Sequence, residues 1–519
     1  MKKIFSYTFF AVLLSCITAC DSDFDELNTS KVNVTSIDPV FQLNHAIINS
    51  SFGSGSGGGS ALIYDMGIVQ QIITPNSGVV AGANYNQDNR EATQTMWQGY
   101  YRNVIRNTRD VIHATQSLPG RTNLMHMARI LQAYGFVVLT DTYGDIPYSQ
   151  GGLGYIDRVL FPIYDSQEDI YKDIIKELTE ATAALDASAP TESAEVLYGG
   201  NIAQWKKFGY SLLLRVGMRL SKVDPTRAAQ IALSAYQGGV ITSNADNVLV
   251  RHTDNFVNNV GNTLNATEAS NFYLTAPFVN HLKNTSDPRL GAIAVRYMGA
   301  KSGPEQVFNP SLATYNGNID PAVQVGMPLG YTNSTIVPVA TSLGLASFYE
   351  FSQVDRTRMV KRTAPMFLVT AAQTLLLLAE ARQRGWITAG TADEYFSNGI
   401  RAHMEQLASY DSRSAVPTAA IDTYVANNPL SPGTAFEQIN TQYWIASFLN
   451  GPEAFANFRR SGFPQLTPNP FPGKGITGDF IRRLTYPNSE ISVNTTNVNV
   501  AIARMGPDNL DTRVWWDKP

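Results

Sequence analysis

One stretch, residues 123–148 (NLMHMARILQAYGFVVLTDTYGDIPY), does most to limit what this chain can fold into. Met127, Ile130, Leu131, Tyr134 and Val138 fall at i, i+3, i+4, i+7 and i+11, a single apolar stripe at the helical period. Ala128, Ala133 and Gly135 leave room for a second helix to come close. The second half predicts a stop. Thr140, Asp141 and Thr142 offer hydroxyl and carboxylate caps, Gly144 tolerates the left-handed region, and Pro147 drives Ile146 out of the α region. The expectation is a buried helix running into a polar, aromatic loop in which Asp141 and Asp145 cap backbone amides.

Helical periodicity recurs on both sides of this stretch. Residues 92–116 carry Met96, Tyr100, Val104, Thr108 and Val111 on one face, with Trp97 and Tyr101 beside them. Residues 166–187 open on Ser166-Gln167-Glu168-Asp169, a capping-box pattern, and continue with Ile170, Ile174, Leu178, Ala181 and Leu185. Residues 201–220 contain Trp205-x-x-Phe208-Gly209-x-x-Leu212, close to the opening of a tetratricopeptide repeat, and Asp224-Pro225-Thr226 starts the partner helix. Residues 364–384, 393–409 and 436–448 repeat the pattern. Residues 37–49 and 61–73 read as two earlier helices, flanking a Gly/Ser run over 52–60. Pairs joined by short turns bury their faces by stacking, so the array predicts one continuous core, and Trp97 and Trp205 read as part of it.

Between these helices, residues 244–363 change character. Asn, Gly, Pro and aromatic residues replace the helical stripe, with Tyr315, Tyr331, Phe348 and Tyr349 among them. A long irregular region rich in aromatics reads as functional rather than unstructured. Aromatic faces stack on the CH groups of sugar rings, and amide side chains both donate to and accept from hydroxyls; peptides use the same groups.

The start of the chain has its own logic. Lys2 and Lys3 precede an apolar run that ends Ile17-Thr18-Ala19-Cys20. Small residues before a cut and a thiol just after it resemble the lipobox of bacterial lipoproteins, which makes 1–19 a leader, Cys20 the lipidated residue and 20–36 an acidic tether. Acyl chains at ~0.8 kcal/mol per buried CH₂ would anchor the mature protein stably. The other cysteine, Cys16, lies inside the leader, so no intramolecular disulfide is expected.

Three further stretches lie near the C-terminus: ANFRRSGFP from Ala456, IRRLTYP from Ile481 and TRVWWD from Thr512. In that order, together with DTYGDIPY from Asp141, the lipobox and the helical pairs, they resemble the SusD/RagB-type nutrient-binding lipoproteins of the bacterial outer membrane, in particular the SusD-like type 2 branch. The resemblance spans essentially the whole chain. It implies a mainly α, SusD-like fold: one domain over 37–519, with a helical-pair scaffold at 37–243 and 364–450, a loop-rich region at 244–363 and a C-terminal cap at 451–519. It also implies a surface-exposed lipoprotein, held in the membrane through Cys20, that binds a glycan or a peptide and delivers it to a SusC-like TonB-dependent transporter without converting it. The ligand residues expected are Asn84, Tyr85 and Asn86 in the loop at 74–89, and Tyr315, Tyr331 and Tyr349 in the irregular region. The arginines of the C-terminal stretches are expected to pair with carboxylates and cap carbonyls in a buried layer.

Chemistry finds little support. The six histidines show no HExxH or other paired spacing, so no metal ligand set and no cofactor are expected. Gly53-Ser54-Gly55-Ser56-Gly57 matches the nucleophile-elbow pattern literally but sits in a Gly/Ser run rather than a strand-to-helix turn. The same run has no lysine and is no phosphate loop. Net charge is −4, or about −6 once a leader with two lysines is removed, and no basic aromatic strip exists, which argues against nucleic acid. A surface glycosidase built on a carboxylate pair, or a tetratricopeptide scaffold binding only protein, are the alternatives from other classes.

Overall fold

The computed structural model describes residues 37–52, 65–75, 82–265, 272–306 and 317–519. The leader, the tether with Cys20, the Gly/Ser run from Gly53 onward and Tyr315 lie outside the described residues. Pro39–Pro519 forms one compact unit.

Its frame is helical. In chain order the main helices are α1 (Pro39–Asn49), α2 (Arg90–Gly99), α3 (Arg106–Thr115), α4 (Thr122–Tyr143), α5 (Gln167–Ala184), α6 (Ile202–Arg219), α7 (Pro225–Gly238), α8 (Ala371–Gln383), α9 (Ala392–Gln406), α10 (Ala435–Ala446), α11 (Gly451–Ser461) and α12 (Thr495–Met505). Each of α4 to α7 packs on its predecessor; α6 then meets α8, which pairs with α9 and α10, and α11 returns from α10 to α4. Side chains at the small positions let these axes approach. A methyl group on Gly209 of α6 would sit 2.0 Å from the Thr182 hydroxyl of α5, and one on Gly399 of α9 would sit 2.8 Å from Leu376 of α8.

Caps explain most helix starts. Ser166, Asn201 and Asp224 accept from the backbone N–H three residues on, and Thr370–Gln373 and Thr391–Glu394 form full capping boxes.

Three local expectations are corrected. Helix α4 does not end at Thr140 but continues to Tyr143, closing on Gly144 at φ 86°. The Thr142 hydroxyl donates to the Val138 carbonyl at 2.7 Å, satisfying itself inside the helix, so Asp141 is a helical residue and caps nothing. Asp145 does cap: its carboxylate accepts from Gln167 N–H at 2.8 Å, in the first turn of α5. Of the helix expected over 61–73, the described part holds only the turn Met66–Ile68, after which Ile72–Ile73 pairs antiparallel with Tyr273–Leu274. Likewise Met366–Val369 is a strand paired with Val248–Val250, and its helix begins at Ala371. In both places a β-branched or aliphatic run finds a distant strand, and tertiary pairing overrides local periodicity. A further three-stranded sheet joins Gly317–Asn318, Ala294–Tyr297 and Gln353–Val354.

The buried layer expected of the C-terminal arginines is present. Arg460 pairs with Glu380 at 2.7 Å, Arg483 with Asp508 at 2.6 Å, and Arg459 donates to the carbonyls of Asp141 and Arg482. Asp141 is gripped by Arg219, by the Tyr171 hydroxyl and by the Trp516 indole. The 123–148 stretch is thereby locked to the far end of the chain.

Candidate ligand-binding site

The irregular region folds into a lobe with its own small core: Ile73, Tyr273, Met327, Leu329, Ile336, Ala340, Leu345 and Phe351. Three chain segments meet at its edge. The Asn84 amide donates to Thr74 O at 2.7 Å and Tyr331 O at 3.0 Å, and accepts from Gly330 N–H at 2.8 Å. Asn469 donates to the carbonyls of Ala83 and Asn84, Gly475 N–H to that of Asn86, and Tyr85 packs its ring 4.7 Å from Phe471 while its hydroxyl donates to Pro75 O.

This lacing changes the assignment of three predicted ligand residues. Asn84, Tyr85 and Asn86 are 3%, 3% and 5% exposed. Asn84 and Tyr85 spend their polar atoms on backbone groups, because a loop that crosses a protein interior needs partners for its carbonyls and amides. They hold the lobe to the helical body and present nothing to a ligand. Asn86, in the left-handed region at φ 48°, keeps a buried amide nitrogen with no acceptor among the described residues.

Tyr331 and Tyr349 are placed differently. Both are half-buried. Tyr331 and Phe348 lie against the same small core, Phe348 meets Tyr273 edge-on at 6.5 Å, and Tyr349 stacks on Phe348 at 4.2 Å and 28°. Gln306 braces the stack, donating to the Tyr349 carbonyl and the Tyr273 hydroxyl. Phe348, one residue from a predicted site residue, was legible only as an aromatic neighbour; nothing in its spacing reveals that it supports Tyr349. Tyr331 thus lies against the lobe's small core with Asn84 as the strut behind it, while Tyr349 packs on Phe348 and against Val295, Tyr297 and Ala300.

The lobe's carboxylates are engaged. Glu350 pairs with Arg296 at 2.6 Å, and Asp355 with Arg358 at 2.6 Å. Burial works to raise the Glu350 pKa, yet N–H bonds from Ala346 and Gly299 and the Arg296 pair hold it below the usual range. Asp141 and Asp145 do not form an acid–base pair either. Asp145 binds Arg504 and the start of α5, with burial raising its pKa against those contacts. Among the described residues no group of three or more His, Cys, Asp or Glu could hold a metal ion. Geometrically, the lobe offers partly open rings on a rigid support, an arrangement suited to stacking.

The chain matches the family described as SusD-like_2, starch-binding associating with outer membrane, over residues 32–487. It belongs to the SusD-like family. Among solved structures, one named a chitin-binding protein is similar at 30% identity and a TM-score of 0.81, covering 93% of this chain and 100% of that one. A Bacteroidetes SusD-like protein is similar at 26% identity and a TM-score of 0.79, over 93% and 100%. A chitin-binding SusD homologue from Flavobacterium johnsoniae is similar at 25% identity and a TM-score of 0.73, over 92% and 98%. No curated protein matches the chain. The SusD-like fold agrees with the mainly helical, paired-helix scaffold described above. No helix among the described residues is long and apolar enough to cross a membrane.

Proposed function

We propose that this SusD-like protein captures an oligosaccharide at the outer surface of the outer membrane and passes it unchanged to a SusC-like TonB-dependent transporter. The observation carrying this reading is the pair of half-buried aromatic surfaces, Tyr331 and the Tyr349–Phe348 stack, in a region where Glu350 and Asp355 are bound to arginines. Lipid attached at Cys20 holds the protein at the membrane. Two similar structures are described as chitin-binding, which favours a neutral, β-linked amino-sugar oligomer as ligand. Tyr315, outside the described residues, remains a proposed contact, as do Tyr331 and Tyr349.

Calorimetric titration with chitohexaose tests the site. Tyr331→Ala and Tyr349→Ala are each expected to weaken binding about three- to tenfold, the size of one aromatic stacking contact. Unchanged affinity in both variants would remove the lobe as the site, and hydrolysis of the oligomer, followed by chromatography, would contradict capture without conversion.

A transporter needs a docking face. The loop 160–163 exposes Leu160, Phe161 and Ile163, and Asn494 and Asn497 tie it by donating to the carbonyls of Pro162 and Phe161 at 2.8 and 3.1 Å. Exposed Val493 and Val500 flank these asparagines. Exposed apolar side chains on two segments tied together in this way fit a protein partner. Leu160→Asp with Phe161→Asp is expected to abolish co-purification of the barrel while leaving chitohexaose affinity intact; barrel retention by the double variant would relocate the interface.

A further inference from the structure

A cleft of about 580 Å³ lies outside the lobe, where the loop after α4 crosses the break between α2 and α3. That break is a six-residue π-helix, Tyr100–Ile105, a rare wide turn found frequently at functional sites. It brings Tyr101 and Arg102 to the cleft wall, and Arg106 follows one turn later.

The opposite wall is backbone. Gly151 and Gly152 press so closely on the broken helix that a methyl group on Gly151 would meet the Tyr101 ring at 3.1 Å, and one on Gly152 would meet Ile105 at 3.0 Å. The loop is fastened in this position: Tyr101 donates to Pro147 O at 2.7 Å, and Arg109 donates to Tyr148 O at 2.8 Å and Gly151 O at 3.2 Å. At the rim stands Tyr155, 87% exposed, its ring resting on nothing that would bury it.

Arg109, Arg215, Arg219, Arg460 and Arg483 all have acceptors nearby, whereas Arg102 and Arg106 make no side-chain hydrogen bond or ion pair among the described residues and are exposed. They are four apart on one helix face, side by side at the cleft. The one acid in the lining, Glu490, accepts from the Tyr164 hydroxyl at 2.9 Å and from the Trp97 indole, and burial raises its pKa. Asp110, the nearest acid on the helix beyond Arg106, is itself half-buried with its pKa raised by burial and lowered by Arg106 and His113.

We propose that this cleft binds an acidic saccharide unit, a pyranose ring carrying a carboxylate or sulfate. The anion takes the Arg102–Arg106 pair, whose planar forks match two oxygens at once, and the ring lies against Tyr155 and Tyr101. Such a site would give the protein a ligand class different from the neutral oligomer assigned to the lobe, and it stands independently of that assignment.

Titration of the purified protein with trigalacturonate and, separately, with a sulfated disaccharide distinguishes the two anion sources; binding of either supports the site. Arg102→Ala and Arg106→Ala are each expected to weaken that binding by roughly ten- to a hundredfold, as loss of a charge-assisted contact does. Arg102→Lys should recover only part, since an ammonium cannot form the fork. Both arginines are exposed, so circular dichroism should be unchanged. Tyr331→Ala should leave acidic-sugar binding intact, which separates failure here from failure at the lobe. The proposal is overturned if neither acidic sugar binds, if the arginine variants bind as the parent does, or if Tyr155→Ala has no effect and inorganic sulfate competes as well as the sugar.

Discussion

Glu453→Ala is expected to destabilise the protein by about 3–5 kcal/mol, the usual result of removing one partner from a buried ion pair. Glu453, in the first turn of α11, accepts from Arg219 at 2.7 Å and from the Tyr443 hydroxyl at 2.7 Å, and lies 3.4 Å from Arg215. Burial opposes its charge, but the two guanidiniums prevail and hold its pKa below the usual range. Without it, Arg219 keeps Asp141 at 3.2 Å, while Arg215 keeps only the Gln373 side chain and the Leu368 carbonyl. Arg219 Nη1 and Arg215 Nε already lack hydrogen-bond acceptors, so the layer has no spare capacity. A domain is stable by about 5–15 kcal/mol, so the loss should move the urea midpoint far down. A midpoint shift worth less than about 1 kcal/mol would mean that water or rearrangement replaces the carboxylate.

Glu380→Ala should produce a loss of similar size, with a pH signature of its own. Glu380, in α8, takes both forks of Arg460 at 2.8 and 2.7 Å, with Arg384 and Asn440 completing its shell. Burial pushes its pKa up, but Arg460 and Arg384 together bring it down to about 2 from 4.5. A carboxylate whose pKa is lower folded than unfolded stabilises the fold above its unfolded pKa. That contribution is lost as pH falls from about 4.5 to about 2, and at ~1.4 kcal/mol per unit it amounts to about 3 kcal/mol. The gap between parent and Glu380→Ala in urea unfolding should therefore be widest near neutrality and narrow steadily between pH 4.5 and 2. A gap that stays constant over that range would show that the ion pair is not what titrates.

Both substitutions act on the same architectural fact. The helical array closes on itself where α11 meets α4, and the closure is made of charges rather than of apolar side chains alone. A buried ionic layer adds less stability than its short distances suggest, because each charge loses its hydration. It does penalise every other docking of α11, since a shifted register would strand several buried guanidiniums at once. The lobe is treated in the same way. Its edge is laced by Asn84, Asn469 and backbone amides, so the ring of Tyr331, proposed above as a stacking surface, stands on a support that need not reorganise.

Periodicity, caps and breakers are local quantities, spaced three or four residues apart, and they determined a great deal. The helices from α3 to α7 and from α8 to α10, the cap at Ser166, the stop near Gly144 and the C-terminal arginine layer were all legible in the residues themselves. The ordered landmarks from the Asp141 loop to Trp516 carried the family as well. Tertiary structure alone decided which polar residues were spent inward. Asn84 and Tyr85 have the composition of ligand residues, yet unsatisfied carbonyls at Thr74, Tyr331 and Pro75 claim them, and those partners lie up to 247 positions away along the chain. Asp141 looked like a cap and became the anchor for Arg219, Tyr171 and Trp516. The π-turn that brings Tyr101 and Arg102 to a cleft likewise leaves no trace in the stripe of apolar residues around it. A side chain's propensity is written in its own chemistry, whereas its partner depends on which distant surfaces the folded chain brings within 3 Å, a distance at which hydrogen bonds outweigh local preference.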